Sequence, residues 1–325
     1  MGCETILTRA DGFKPDNASK AVFLTKFHRG ILSIMPVHVT TSKARSILTR
    51  TTGYLKTISS HSLQPYVGCT FGRSLCGAGC YVQHNRFLTK GRKWGTFLVA
   101  KTNAALLYSK DYDKERRWSH QQGKSFGIFM SSSTDPFLPH EQRFGISGAV
   151  LEAMLEQPPD VLIIQTHTHL VTKYRALLSR LNRICALRVH ISIESDRDKI
   201  PGLPPPASSV DKRLNAARAF KQAGIHTVIT IAPLLPIMDP RTFFERIKSC
   251  ANSMVIDHFI GGDGTTGGTR TLKTTLPSAI RSINPAALSI DYRDHMTELA
   301  NQIMPGKVGV GMDGFAGRLL SSSAQ

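Results

Sequence analysis

No stretch of this 325-residue chain approaches the roughly 18 to 20 consecutive apolar residues that a membrane-spanning helix requires, so no membrane partner is expected. The opening segment, MGCETILTRADGFK, has no apolar run of the secretory kind, and the expected localisation is cytoplasmic. Its Met-Gly-Cys start is not read as an acylation signal, because Ile6 stands where N-myristoylation prefers Ser or Thr. Internal sequence repeats are lacking too. Charged residues make up only 20% and apolar residues 41%, a balance that fills one large domain or two small ones and excludes disorder throughout.

Acidic residues are scarce: 23 Asp and Glu face 41 Lys and Arg, for a net charge of +18. The imbalance is concentrated, since residues 1–125 hold 20 Lys and Arg against 6 Asp and Glu and so carry +14 of it. Such a field raises the local concentration of polyanions and speeds their encounter, which makes nucleic acid a natural partner. A solvated basic face is the plainer reading of the same charge.

Residues 1–60 are polar, basic and weakly periodic, as in an extended basic N-terminal arm laid on a domain. Beyond residue 95, apolar runs of strand length alternate with longer helical segments. The runs are 96–100 (TFLVA), 126–130 (FGIFM), 161–165 (VLIIQ), 187–193 (LRVHISI), 226–231 (HTVITI) and 254–260 (MVIDHFI). Helices are predicted over 103–121, 140–156, 170–182, 209–223, 241–251 and 293–303. Leu214, Ala217 and Phe220 share one face of the fourth of these, and Gly224 supplies its stop. Six strands alternating with helices imply an α/β fold with a parallel sheet, open or curved toward a barrel, whose ligands sit at the C-terminal ends of the strands.

Three of the six cysteines, Cys69, Cys76 and Cys80, fall within twelve residues in PYVGCTFGRSLCGAGCYVQHN. The intervening glycines let a short loop fold tightly, and an odd cysteine set in a cytosolic chain points to metal or catalysis before disulfides. On spacing alone two metals compete. Zinc takes four ligands in a closed structural site, and His84 would complete a Cys3His set. An iron-sulfur cluster is held by thiolates, and three of them leave one iron of a 4Fe-4S cluster open.

The cysteine segment resembles the cluster loop of radical S-adenosylmethionine (SAM) proteins, in the spore photoproduct lyase-like branch often labelled DNA repair photolyase-like. Further segments carry the likeness in order: 44–54 (ARSILTRTTGY), 64–69 (QPYVGC), 101–104 (KTNA), 134–141 (TDPFLPHE), 190–193 (HISI), 213–225 (RLNAARAFKQAGI) and 231–239 (IAPLLPIMD). The spacing here is C-x6-C-x3-C, where the superfamily usually has C-x3-C-x2-C. The resemblance implies a partial (β/α)6 TIM-like barrel of the radical SAM type. Its core would span residues 61–275, between the basic arm (1–60) and a short C-terminal extension (276–325).

The resemblance also implies a chemistry. Cys69, Cys76 and Cys80 would hold a 4Fe-4S cluster whose open iron binds SAM. A reductant such as flavodoxin or ferredoxin would supply the electron that cleaves SAM to a 5'-deoxyadenosyl radical. SAM would be bound by Ser132, Ser133, Thr134 and Asp135, by His167 where relatives tend to carry Lys or Arg, and by Ser192, with Glu194 a second candidate. Tyr81 or Tyr66 would pack on the adenine, unless both serve the core. Asp135 could instead cap the following helix, and His167 with His169 is read as structural and not as a metal pair. Spore photoproduct lyase carries a cysteine hydrogen donor where this chain has Ser131, Ser132 and Ser133, so reversal of a thymine dimer by that route is not expected.

Residues 261–268 (GGDGTTGG) lack the endings of a phosphate loop and read as a loop after the sixth strand, with Asp263 or Arg270 reaching a substrate. Cys3 is isolated, and Cys185 and Cys250 read as buried small hydrophobes. The expected function is that of a radical SAM enzyme acting on nucleic acid or a nucleotide. The alternative is a zinc-stabilised nucleic-acid-binding protein without catalysis.

Overall fold

The computed structural model describes residues 36–321, so Cys3 and most of the basic arm lie outside the described residues. Eleven strands are described: β1 (His38–Ser42), β2 (Leu48–Arg50), β3 (His61–Leu63), β4 (Tyr66–Val67), β5 (Phe97–Lys101), β6 (Gly127–Met130), β7 (Val161–Thr166), β8 (Ala186–Ser192), β9 (His226–Ile231), β10 (Ser253–Ile256) and β11 (Val308–Val310). Eight form one sheet in the order β11-β10-β9-β8-β7-β6-β3-β2, parallel throughout except for the antiparallel β2–β3 pair. Helices cross between successive parallel strands, and the sheet keeps two free edges, which makes it an open, partial (β/α) barrel. Among the described residues no helix is long and apolar enough to cross a membrane.

Period-2 patterning places β8 well: Leu187, Val189 and Ile191 pack outward under the helices, while Arg188, His190 and Ser192 lie on the other face. The barrel interior is filled by Phe129, Ile163, Val228 and Val255, one each from β6, β7, β9 and β10, and closed by Phe315. The helix Val210–Gln222 starts where the Ser209 hydroxyl accepts the Lys212 N–H at 3.3 Å and is followed by Gly224 at φ 73°, as its sequence predicts.

Two expectations about strands change. The run at 96–100 becomes β5 and leaves the main sheet, pairing instead with β1 and β4 in a three-stranded sheet. Its place in the barrel is taken by β3, three residues (HSL) too short to show periodicity, whose C-terminal end leads into the cysteine loop. The Gly-rich tail holds β11, which extends the main sheet beyond β10, and the helix Gly311–Phe315, which carries Phe315 into the interior.

Because β3 is short, its position depends on side chains. The buried His61 Nε2 lies 3.0 Å from Glu115 Oε2 on the helix Ala104–Gln121, Arg50 Nε on β2 donates to the same oxygen at 2.8 Å, and the Arg50 guanidinium sits 4.1 Å over the Trp118 ring. Burial alone would raise the Glu115 carboxyl, but the bonds from Arg50 and His61 outweigh it and hold the group at about 2. A carboxyl depressed on folding contributes stability that is present above its unfolded value and lost as pH falls through its folded one. Stability is therefore expected to drop between about pH 4.5 and about pH 2, and Glu115→Gln should flatten that drop. Denaturant midpoints measured against pH check this, and equal acid limbs for the two proteins would remove Glu115 from the account.

Candidate active site

A cavity of about 570 Å³ opens at the C-terminal ends of the parallel strands and is lined by residues that follow several of them. Cys69, Cys76 and Cys80 follow β3 and β4, Ser131 to Asp135 follow β6, Gln165 and His167 mark the end of β7, Ala232 and Pro233 follow β9, and Asp257 and His258 follow β10.

The cysteine loop is shaped by backbone crossings that exclude side chains. A Cβ on Gly77 would stand 2.3 Å from the Gly72 carbonyl carbon, one on Gly72 would stand 2.4 Å from the Gly95 Cα, and Gly95 itself sits at φ 84°. This compaction turns all three free thiols onto one wall of the cavity despite the long C-x6-C interval. Burial pushes the thiols up, Cys69 to about 12, Cys80 to about 11 and Cys76 well above its ordinary value, with the Asp135 and Glu194 charges adding to Cys69 and Cys76 respectively. Such thiols keep their protons until a metal replaces them.

This donor set fits an iron-sulfur cluster. Three thiols line the cavity, and a polynuclear cluster would take each thiolate on a different iron; among the described residues no group of three or more His, Cys, Asp and Glu is placed to hold a single metal ion. His84, the fourth ligand that a zinc site would use, is exposed and does not line the cavity.

The polar run after β6 is held from two sides. Gln64 Nε2 donates to Ser132 Oγ at 2.7 Å, the Ser133 N–H reaches Gln64 Oε1 at 3.4 Å, and Lys101 Nζ donates to the Gln64 carbonyl at 2.8 Å. From the cysteine loop, the Tyr81 hydroxyl donates to the Ser132 carbonyl at 3.0 Å. Ser131 begins the run at φ 87°, a conformation that L-residues rarely adopt. Thr134 is buried beside it on the cavity wall.

Asp135 does not cap the helices that follow it. Its carboxylate accepts from the Phe137 N–H at 2.9 Å, the Thr166 hydroxyl at 2.9 and 3.0 Å, and the His167 N–H at 2.7 Å, and so fastens the end of β6 to the end of β7. The His167 ring then lies between two carboxylates, with Nδ1 3.7 Å from Asp135 Oδ2 and Nε2 3.5 Å from Glu194 Oε1.

Ser192 lies one layer behind the wall. Its Oγ accepts from Gln165 Nε2 at 3.2 Å and meets Thr230 Oγ1 at 2.9 Å, and Gln165 lines the cavity where Ser192 does not. Glu194 is buried and not solvent-facing: Arg213 NH1 donates to its Oε2 at 2.8 Å and to the Ser192 carbonyl at 2.6 Å. Burial raises the Glu194 carboxyl, but the Arg213 and His167 charges outweigh it and hold it below its ordinary value.

Other candidates separate cleanly. Tyr81 lines the cavity, whereas Tyr66 is fully buried in the core with its hydroxyl on Glu141. His169 is structural, its Nδ1 2.8 Å from Ser208 Oγ. Asp263 and Arg270 both line the cavity, and Arg270 NH1 donates to the Asp263 carbonyl at 3.1 Å, so the glycine-rich segment is a loop folded over the cavity after β10. Cys250 is buried and Cys185 half-buried against the core.

Sequence reasoning missed Gln64, Gln165, Tyr54, Asp257 and Arg213. Tyr54 donates to Asp257 Oδ2 at 2.9 Å across 203 residues, joining the segment before β3 to the end of β10, and burial pushes Asp257 up to about 6. Arg213 had a readable signal, since it falls on the same helical stripe as the buried Val210, Ala217 and Phe220.

The fold has solved relatives. Spore photoproduct lyase in complex with dinucleoside spore photoproduct superposes with a TM-score of 0.56 at 16% identity, covering 84% of this chain and 81% of that one. A mutant of the same enzyme with bound AdoMet and dinucleoside spore photoproduct gives 0.56 at 17% identity over the same shares. This chain has the fold of spore photoproduct lyase. No protein-family model matches the sequence. An uncharacterized protein of Acidianus two-tailed virus is 32% identical over 181 residues, 52% of this chain and 54% of that one. The Radical SAM Nalpha-GlyT isomerase of Pseudomonas phage M6 is 27% identical over 202 residues, 61% of this chain and 38% of that one. The likeness thus covers about half of the viral protein and less than half of the phage isomerase.

Removing Arg213 would leave the Glu194 charge buried and unpaired. Arg213→Met is expected to destabilise the fold by about 3–5 kcal/mol, and Arg213→Met with Glu194→Leu by much less. Chemical denaturation of the two variants checks this, and equal losses would show that the pair does not act as a unit.

Proposed function

We propose that this protein is a radical SAM enzyme. The observation that carries the reading is that three free thiols, those of Cys69, Cys76 and Cys80, line one cavity at the strand ends of a fold shared with an AdoMet-bound enzyme. In this reading Cys69, Cys76 and Cys80 hold a 4Fe-4S cluster, and a one-electron reductant such as flavodoxin or ferredoxin serves it. When bound, cluster and SAM supply a 5'-deoxyadenosyl radical, and the protein's part is to bind, orient and exclude water.

Ser132, Ser133 and Thr134 present hydroxyls and carbonyls to the SAM ammonium, with Asp135 fixing their turn. His167 hydrogen-bonds the cofactor, its ring held between Asp135 and Glu194. Ser192 acts through Gln165, which it orients, and Tyr81 packs against the adenine while its hydroxyl ties the cluster loop to Ser132. The substrate is a nucleic acid or nucleotide, a reading supported by the +14 charge of residues 1–125 and by the dinucleoside bound in the structural relative.

Anaerobic reconstitution with iron and sulfide, followed by reduction in the presence of SAM, tests the reaction. 5'-Deoxyadenosine is expected from the wild type and from His84→Ala, and none from Cys76→Ala. No cleavage by protein holding about four irons per chain would overturn the proposal. So would one zinc per chain that is lost in His84→Ala, the signature of the non-catalytic alternative.

A further inference from the structure

The apolar side chain most exposed on the described surface is Phe87, 91% accessible on the short helix Arg86–Thr89 that follows the cysteine loop. Single exposed apolar residues are ordinary on protein surfaces, so exposure alone assigns nothing. Phe87 differs in how it is held and in what surrounds it.

Its turn is fixed at both ends. Asn85 Oδ1 accepts the Phe87 N–H at 3.0 Å and the Leu88 N–H at 3.4 Å, and Lys90 at φ 49° and Gly91 at φ 77° end the helix. Thr89 is buried and Leu88 packs against the core, while Arg92 donates to the Thr89 carbonyl at 3.1 Å and lays its guanidinium 3.7 Å over the Phe97 ring. The loop is therefore anchored, and Phe87 is the apolar side chain it leaves exposed. Asn85, which caps this turn, also lines the cavity, so the turn that carries Phe87 begins at the cavity's edge.

The surroundings are cationic. Residues 17–110 contain no Asp or Glu and 14 Lys and Arg. Arg86, Lys90 and Lys93, within six residues of Phe87 in the chain, are exposed as well. A lone aromatic face amid cations suits a base and its phosphates, because every nucleobase has a face that stacks and the backbone charge is met on either side. A lipid surface would call for several apolar side chains, and here Leu88 points inward.

We propose that Phe87 is a stacking platform for an unpaired nucleobase, with Arg86, Lys90 and Lys93 holding the flanking phosphates. This rests on the nucleic-acid reading above and adds to it how the polymer is seated. Chemistry on a base requires that base to leave its stack, and an exposed ring on a turn that begins at the cavity's edge can stack on a base of the opened strand.

Anisotropy of a fluorescein-labelled single-stranded DNA of about 12 nucleotides, titrated with reconstituted protein at several salt concentrations, tests this, the length matching typical single-strand site sizes. Phe87→Ala and Phe87→Leu are each expected to weaken binding by about 5-fold to about 150-fold, and Phe87→Trp to retain it. Arg86→Ala with Lys90→Ala should reduce the slope of log affinity against log salt by about 1.4. Wild-type affinity in Phe87→Ala would overturn the proposal, as would wild-type affinity in Phe87→Leu, which keeps the apolar bulk without the ring. A Phe87→Ala loss seen on anionic phospholipid vesicles and not on the oligonucleotide would assign the ring to a membrane surface instead. SAM cleavage by the wild type is scored separately: its absence removes the proposed reaction and leaves the binding result standing.

Discussion

The candidate site depends on a loop that crosses its own backbone where no side chain fits. Gly72, Gly77 and Gly95 meet at distances that a single Cβ would violate, and the crossing draws three thiols separated by six and three residues onto one wall. The loop hangs from β3, a strand of three residues. That strand owes its place in the barrel to parallel pairing with β6 and to the His61, Arg50 and Glu115 contacts below it. Loop compaction and strand position therefore form one constraint.

Around this wall the fold spends buried polar groups on positioning. Asp135 ties two strand ends together by accepting from the Thr166 hydroxyl and the His167 N–H, Gln64 and Tyr81 both hold Ser132, and Arg213 pairs with Glu194 beside His167. The buried Glu194 and Arg213 charges are paired with each other, as a low-dielectric interior requires, while Glu194 Oε1 and Arg213 Nε keep no hydrogen-bond partner of their own. Preorganisation of this kind lets a site act on a reactive species without reorganising around it.

Much of this was legible in the sequence, and the failures have physical causes. β6 to β10 and the major helices are long enough to show their period, and the placement of ligand-facing residues after strand ends followed from parallel topology alone. The cysteine loop was visible through residue type and glycine content. β3 and β11 are too short to carry a periodic signal, while residues 96–100 look more strand-like than β3 yet pair elsewhere. The sequence reads Ser192 as a cofactor residue, and its bond from Gln165, which lines the cavity from the neighbouring strand, is a contact that only the folded register reveals. Tyr54 and Asp257 lie 203 residues apart, and nothing local links them.

The basic charge gains a location in the same way: the acid-free stretch contains the cysteine loop and the exposed Phe87 turn that follows it. The central claim is that the three thiols share one polynuclear iron cluster. Anomalous diffraction at the iron edge from crystals of anaerobically reconstituted protein tests it most directly. The account expects one compact multi-iron peak within bonding distance of the sulfurs of Cys69, Cys76 and Cys80. Iron absent from that wall, or a single zinc peak bound to fewer than three of the thiols, would contradict it.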